Sequence, residues 1–205
     1  DVYKRQEYDW NGVPLVISRT GWSSELGYEI FLRDGASGSA LWDYLMDVGG
    51  PMGLKPGHTS SIRRIEAAML SYHADMTLKN NPFELGMDRL VDLDMEIDFV
   101  SKAALTRIRD EGVSQLQVGL VFDGAPISGS NDEYWPVLVD GQKVGQVTSA
   151  VYSPRLEQNI ALALVAVAHA GIGTKAMIDM SGEPRGCEIV QKPFFDPKKA
   201  IAAKG

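Results

Sequence analysis

Hydrophobic positions change period along the chain. Val13 to Ile17 is a short β-branched apolar run, and Tyr28 to Leu32 alternates. In that second segment Tyr28, Ile30 and Leu32 share one face, while Glu29 and Phe31 share the other. Both segments read as strands, and the Tyr28–Ile30 face is expected to point into the core. Leu41, Leu45 and Val48 then recur at helical spacing, with Ser37 or Ser39 as candidate caps and Gly49 as the stop. A second helix is predicted from about Thr59 to Tyr72, carrying Ile62, Ile65, Met69 and Tyr72 along one side. From Val91 to Asp98 apolar and acidic residues alternate strictly, which predicts a strand with a wet acidic face. Ser101 opens a short helix that ends near Asp110.

Beyond Glu111-Gly112 the helical period disappears. Strands are predicted at 116–122, 137–139, 143–151, 160–167, 176–180 and 187–191. Asp140-Gly141 between two of them is a type I′ hairpin signal. The expected fold class is therefore α+β, with a mixed region over 1–112 followed by an antiparallel β-barrel or sandwich over 113–205. Residues 1–6, Asp-Val-Tyr-Lys-Arg-Gln, lead into no predicted element and read as non-native, with the native chain beginning further upstream.

Composition narrows the function classes. The 205 residues carry 27 acidic and 20 basic side chains, a formal net charge of -7. That balance argues against a partner bound through a phosphate backbone, so no nucleic acid is expected. No run of 18 apolar residues and no basic n-region with an apolar h-region are present, so neither a membrane partner nor a signal peptide is expected. A cytoplasmic protein with a small ligand is the expectation. Cys187 is the sole cysteine and reads as a half-buried structural thiol. His58, His73 and His169 stand at no zinc-site spacing, and no metal is expected.

Several weaker signals resolve as structure. A calcium loop starting at Asp92 would need glycine and glutamate where Ile97 and Ala103 stand. Gly49-Gly50-Pro51-Met52-Gly53 lacks both the dinucleotide fingerprint and the phosphate-loop lysine. Arg64 and Glu66 read as structural ion pairs on a helix shoulder. One constellation stands out, Arg19-Thr20-Gly21-Trp22-Ser23-Ser24-Glu25-Leu26-Gly27-Tyr28-Glu29-Ile30-Phe31. A carboxylate and an aromatic ring project from one strand face, beside a loop that carries Trp22. A carboxylate can accept two parallel hydrogen bonds from a ligand with adjacent N–H donors, as on the amino-pyrimidinone edge of a pterin, and flanking rings can sandwich a flat ligand. The same residues also read as a solvated strand face.

Arg19 to Ile30 resembles the Arg-Thr-Gly-Tyr-Thr-Gly-Glu-x-Gly-x-Glu-Ile segment of the glycine-cleavage T-protein family. The resemblance continues through Arg64-Ile65-Glu66-Ala67, Leu70-Ser71-Tyr72, Asp75 and Asn81-Pro82-Phe83-Glu84-Leu85-Gly86. It resumes at Val118-Gly119-Leu120, Gly145-Gln146-Val147-Thr148 through Tyr152-Ser153-Pro154, Asn159 to Ala163, and Pro193-Phe194. These segments fall in the family's order over roughly 7–195. The resemblance implies the later part of a folate-binding α+β region up to about residue 112, then the family's C-terminal barrel. It implies a tetrahydrofolate-dependent one-carbon transferase whose N-terminal half, with its catalytic residues, lies outside this sequence and would cover an apolar underside of residues 7–110. Glu29 matches the glutamate that grips the pterin, and Trp22, Phe31 and Tyr152 are the accompanying cofactor-binding candidates. Two departures resemble the dimethylsulfoniopropionate demethylases within the family: Trp22-Ser23-Ser24, and Thr59-Ser60-Ser61 in place of an Ala-Arg-Asp stretch whose arginine contacts ligand. The implied partner is then a small-molecule methyl donor. A glycine-cleavage aminomethyltransferase, the folate module of a dimethylglycine or sarcosine oxidoreductase, and a non-catalytic folate-binding protein stay open.

Overall fold

A computed structural model describes residues 5–57 and 61–203. The chain divides into two compact units, one formed by 61–198 and the other by the residues before 61 together with those from 199 onward.

The first unit is built on a three-stranded antiparallel sheet in the order β1 (Arg5–Trp10), β2 (Val13–Ser18), β3 (Glu29–Leu32). β1 corrects the expectation that residues 1–6 lead into no element, since Arg5 pairs with Ser18 and Gln6 with Ile17. Residues 1–4 lie outside the described residues. The turn Asn11-Gly12, both at positive φ, joins β1 to β2, and Gly12 N–H donates to Asp9 Oδ1 at 2.8 Å. α1 (Gly38–Gly49) follows as predicted. Its Tyr44 packs against Trp10 with ring centroids 5.6 Å apart. Leu15 and Leu41 are the buried apolar residues of this unit. So small a sheet cannot cover both faces, and here the expected inward face of β3 fails. Tyr28 is 63% exposed and Ile30 is also exposed. Trp42, Tyr44, Val48, Met52 and Leu54 add further exposed apolar surface.

The second unit opens with α2 (Ser61–Glu66), far shorter than the predicted helix; its expected start at Thr59 lies outside the described residues. The early stop has a clear geometry. Met69 N–H reaches Arg64 O at 2.7 Å and Ala68 N–H reaches Ile65 O at 2.9 Å, while Ala68 sits at φ +53°. This is a Schellman closure with alanine in the left-handed position that glycine usually marks. No glycine warned of it. The acidic segment 91–98 forms no strand. Asp92 Oδ1 instead accepts the N–H groups of Asp94 and Met95, each at 3.1 Å. Such local side-chain bonding competes with extended pairing. α3 (Lys102–Glu111) then follows, close to its predicted bounds.

From Gln115 onward the chain forms a closed six-stranded antiparallel barrel in the order β4-β7-β6-β5-β8-β9. The strands are β4 (Gln115–Phe122), β5 (Trp135–Val139), β6 (Gln142–Ser153), β7 (Gln158–Ala166), β8 (Lys175–Met180) and β9 (Glu183–Val190). β4 closes the ring by pairing with both β7 and β9. Asp140 at φ +50° and Gly141 at φ +76° make the predicted hairpin turn between β5 and β6. The lumen is filled by Leu120, Val137, Val147, Ala163, Ile178 and Ile189 among others. β7 is buried on both faces: Ala161, Ala163 and Val165 face the lumen, while Ile160 and Leu162 pack outward with Ile65 of α2. That explains its unbroken apolar run. At Gly145 an added Cβ would stand 2.3 Å from Leu164 O, so only glycine lets β6 approach β7 there. Secondary structure changes character near residue 112, but compactness divides the chain elsewhere: residues 61–112 group with the barrel and not with the first sheet. A four-residue helix, α4 (Ala200–Ala203), belongs to the first unit.

Candidate functional site

The candidate site of the first unit lies where β2 meets β3. Register pairs Ser18 with Glu29 and Val16 with Phe31. Glu29 and Phe31 therefore share one face, as the alternation predicted. Arg33 continues that face and donates from Nη2 to Glu7 Oε1 at 2.8 Å. Thr20, just past β2, donates its hydroxyl to Glu29 Oε2 in a short hydrogen bond. The same Oγ1 lies 3.0 Å from Ser18 Oγ. A hydroxyl has one proton, so Ser18 supplies the second contact. Ser18 is wholly buried. The carboxylate is thus tethered through one oxygen to a fixed relay, Ser18–Thr20–Glu29. Among the described residues Oε1 of Glu29 accepts no hydrogen bond. An anchored carboxylate with one open oxygen can accept from a ligand N–H without first paying the full cost of ordering its own side chain.

The rings beside it are accessible. Phe31 is 53% exposed and Trp22, in the 19–28 loop, is 48% exposed. Both can offer a face to a flat ligand. Tyr152 belongs to the second unit. It lies one residue from the end of β6, opposite Asn159, and is half-buried. It alternates with Val151 and Ser153, which face α2, and so takes the lumen side with Ala150. Asn159 pins the loop at that barrel end, donating from Nδ2 to Gly124 O at 3.2 Å and Ala125 O at 3.1 Å.

Sequence reasoning named Glu29 but missed Thr20 and Ser18, whose hydroxyls position it. The signal was available, since the strand pairing of residues 18 and 29 places them opposite one another. It read Arg64 and Glu66 as ion pairs on a helix shoulder, whereas the structure buries both in separate networks. Arg64 donates from Nη1 to Asp75 Oδ2 at 2.8 Å and from Nη2 to Ser149 Oγ at 2.9 Å. Thr148 donates to Asp75 Oδ1 at 2.6 Å. Thr148 and Ser149 are neighbours yet point the same way, because β6 shifts register between Val147 and Ser149. Glu66 accepts from Ser153 Oγ at 2.6 Å and from Arg63 Nη1 at 3.0 Å. Among the described residues no group of three or more His, Cys, Asp and Glu side chains could hold a metal. No helix among them is long and apolar enough to cross a membrane.

An α+β region carrying the anchored glutamate, followed by a closed six-stranded barrel, defines the class: the chain belongs to the glycine cleavage T-protein family. Residues 1–95 match the GCVT N-terminal domain and residues 116–196 the glycine cleavage T-protein C-terminal barrel domain. An aminomethyltransferase of Symbiobacterium thermophilum is 37% identical over 191 residues, which is 90% of this chain and 49% of that protein. A dimethylsulfoniopropionate demethylase of Ruegeria pomeroyi is 36% identical over 172 residues, 84% of this chain and 46% of that protein. The crystal structure of the glycine cleavage system aminomethyltransferase T from Bartonella henselae superposes with a TM-score of 0.73 at 21% identity, over 88% of this chain and 49% of that one. This last likeness is one of fold. The chain spans about half the length of the curated relatives it matches.

Proposed function

We propose that the protein of which this chain forms part transfers a one-carbon unit to tetrahydrofolate. The observation that supports this best is Glu29, matched to the pterin-gripping glutamate of the family and held by Thr20 with one oxygen open. Phe31 and Trp22 are the rings that would flank the pterin, and Tyr152 is a further contact candidate. When bound, tetrahydrofolate supplies the N5 nucleophile. The residues named here bind and orient it, and orientation alone converts a bimolecular encounter into a local one. The exposed apolar residues of the first unit, Trp42, Val48 and Met52 among them, suit a face covered by the half of the protein outside this sequence.

For the donor we propose dimethylsulfoniopropionate or a similar methyl sulfonium. Two sequence departures support this: Trp22-Ser23-Ser24, and Thr59-Ser60-Ser61 where the aminomethyltransferases carry an arginine. A sulfonium leaves as a neutral thioether, so its transfer needs little acid–base help. An aromatic-lined pocket can hold the cation against ring faces. The aminomethyl donor of the glycine-cleavage reaction is the second reading, favoured by the many relatives that carry the aminomethyltransferase name. Assaying the full-length protein with tetrahydrofolate and each donor in turn separates them. Formation of 5-methyltetrahydrofolate from the sulfonium supports the first, and ammonia release from the lipoyl-bound aminomethyl donor supports the second. Neither product would end the transferase reading.

A further inference from the structure

A separate pocket of about 570 Å³ lies within residues 61–198, and none of its lining residues belongs to the candidate folate site. The loop 74–80 forms one wall and barrel residues the other. Its charged lining consists of Lys79, Lys143 and Asp75. Asp75 is spent: Oδ2 accepts from Arg64 and from Ser71 N–H at 2.9 Å, and Oδ1 from Thr148. Its charge is offset by the buried Arg64 beneath it. Lys79 and Lys143 are exposed, and among the described residues neither makes an ion pair or hydrogen bond. In a chain of net charge -7, the pocket therefore presents two uncompensated ammonium groups. Between them stand the Tyr134 ring, fixed by its hydroxyl on His73 O at 2.8 Å, and the apolar side chains of Met76 and Leu164.

We propose that this pocket binds a small organic dicarboxylate carried on an apolar or aromatic stem. Each lysine meets one carboxylate as a point charge, and the Tyr134 side supports the stem. No arginine fork lines the pocket, so it lacks the bidentate geometry that favours phosphate. Its volume is that of an ordinary small-molecule site. The floor is preorganised, since the buried Arg64–Asp75–Thr148 network joins the loop side to the barrel side and need not order on binding.

Titration of the chain with 4-aminobenzoyl-L-glutamate, followed by calorimetry and by backbone amide shifts, tests this. Saturable binding with shifts confined to residues 74–80 and 143–148 is expected. Lys79→Gln with Lys143→Gln should weaken it roughly ten-fold, the sum of two partly exposed charge pairs, with thermal unfolding unchanged because both side chains are exposed. Lys143→Gln alone should lose about half that in free energy, and Glu29→Gln should change nothing. Glutarate, which keeps the carboxylates and loses most of the stem, should bind more weakly. Unchanged affinity in the double variant, equal binding of inorganic phosphate or glutarate, or no saturable binding would each overturn the proposal.

Discussion

Arg64 and Asp75 stand eleven residues apart and meet at 2.8 Å with both side chains buried. The pair is not isolated. Ser149 and Thr148 satisfy the remaining guanidinium and carboxylate positions from the barrel wall, so the loop after α2 is bonded to β6 through ionised groups. Burying charges is costly, and losing one partner strands the other. Asp75→Asn keeps the shape and removes the charge. It should lower unfolding stability by about 3–5 kcal/mol. Arg33→Ala, at an exposed pair with Glu7, should cost less than about 1 kcal/mol. Urea denaturation of the two variants side by side measures the contrast, and equal losses would mean that the buried network carries no special weight.

Lys192 gives a pH dependence with a definite sign. Burial pushes its ammonium down from 10.5 to about 8, against the opposing pull of Asp75. The folded state therefore holds this proton less tightly than the unfolded chain. Below about pH 8 the charged form is carried at a cost, and the cost fades as pH rises from there toward 10.5. Lys192→Met keeps the length and removes the charge. It should raise stability at pH 7, by on the order of 1–3 kcal/mol, and the gain should shrink as pH approaches 10. Denaturation midpoints of parent and variant at pH 7 and pH 10 check this. A gain that is equal at both values would point to packing and not to charge.

Cys187 lies in the barrel lumen among Leu120, Phe122 and Ala176. Burial raises its thiol to about 11, outweighing the hydrogen bond with the Ala176 backbone, and Asp123 adds to the rise. Only the thiolate is an effective nucleophile. At pH 8 iodoacetamide should label Cys187 slowly in the native chain and rapidly in urea. Comparable rates in both would show that the barrel opens at that end.

How much of this was legible beforehand differs between the two halves of the chain. The barrel strands announced themselves because each carries its own period-two or fully apolar pattern, and Asp140-Gly141 fixed one turn by its φ preference alone. The failures came where a local bond overrode a pattern. Asp92 folded back on its own backbone and undid a perfect alternation. Ala68 closed a helix without a glycine. Tyr28 and Ile30 alternate as core residues should, yet in this chain no described element covers them fully. A pattern states which face is apolar; whether anything lies against it depends on residues far away. Glu29 was legible through its motif, whereas the Thr20–Ser18 relay needed the register of β2 on β3. The bulge that aligns Thr148 with Ser149 left no mark in the sequence.

That relay makes a sharper test of the pterin anchor than the glutamate alone. In the full-length protein, Glu29→Gln keeps the side-chain shape but turns one acceptor into a donor, leaving a ligand N–H poorly paired. The expected loss in tetrahydrofolate affinity is about 1.5–3 kcal/mol, the scale for hydrogen bonds to a charged group. That corresponds to roughly ten- to a hundred-fold. Thr20→Val removes the hydroxyl that donates to Oε2 while keeping a β-branched side chain. The carboxylate stays but loses its tether, so the loss should be smaller, on the order of 1 kcal/mol, and should not add to that of Glu29→Gln. In the double variant the second change has nothing left to position, and coupled residues are not additive. Calorimetric titration of the two single variants and the double variant with tetrahydrofolate reads all three numbers. Additive losses would separate Thr20 from the anchor, and an unchanged affinity in Glu29→Gln would remove Glu29 from the folate site altogether.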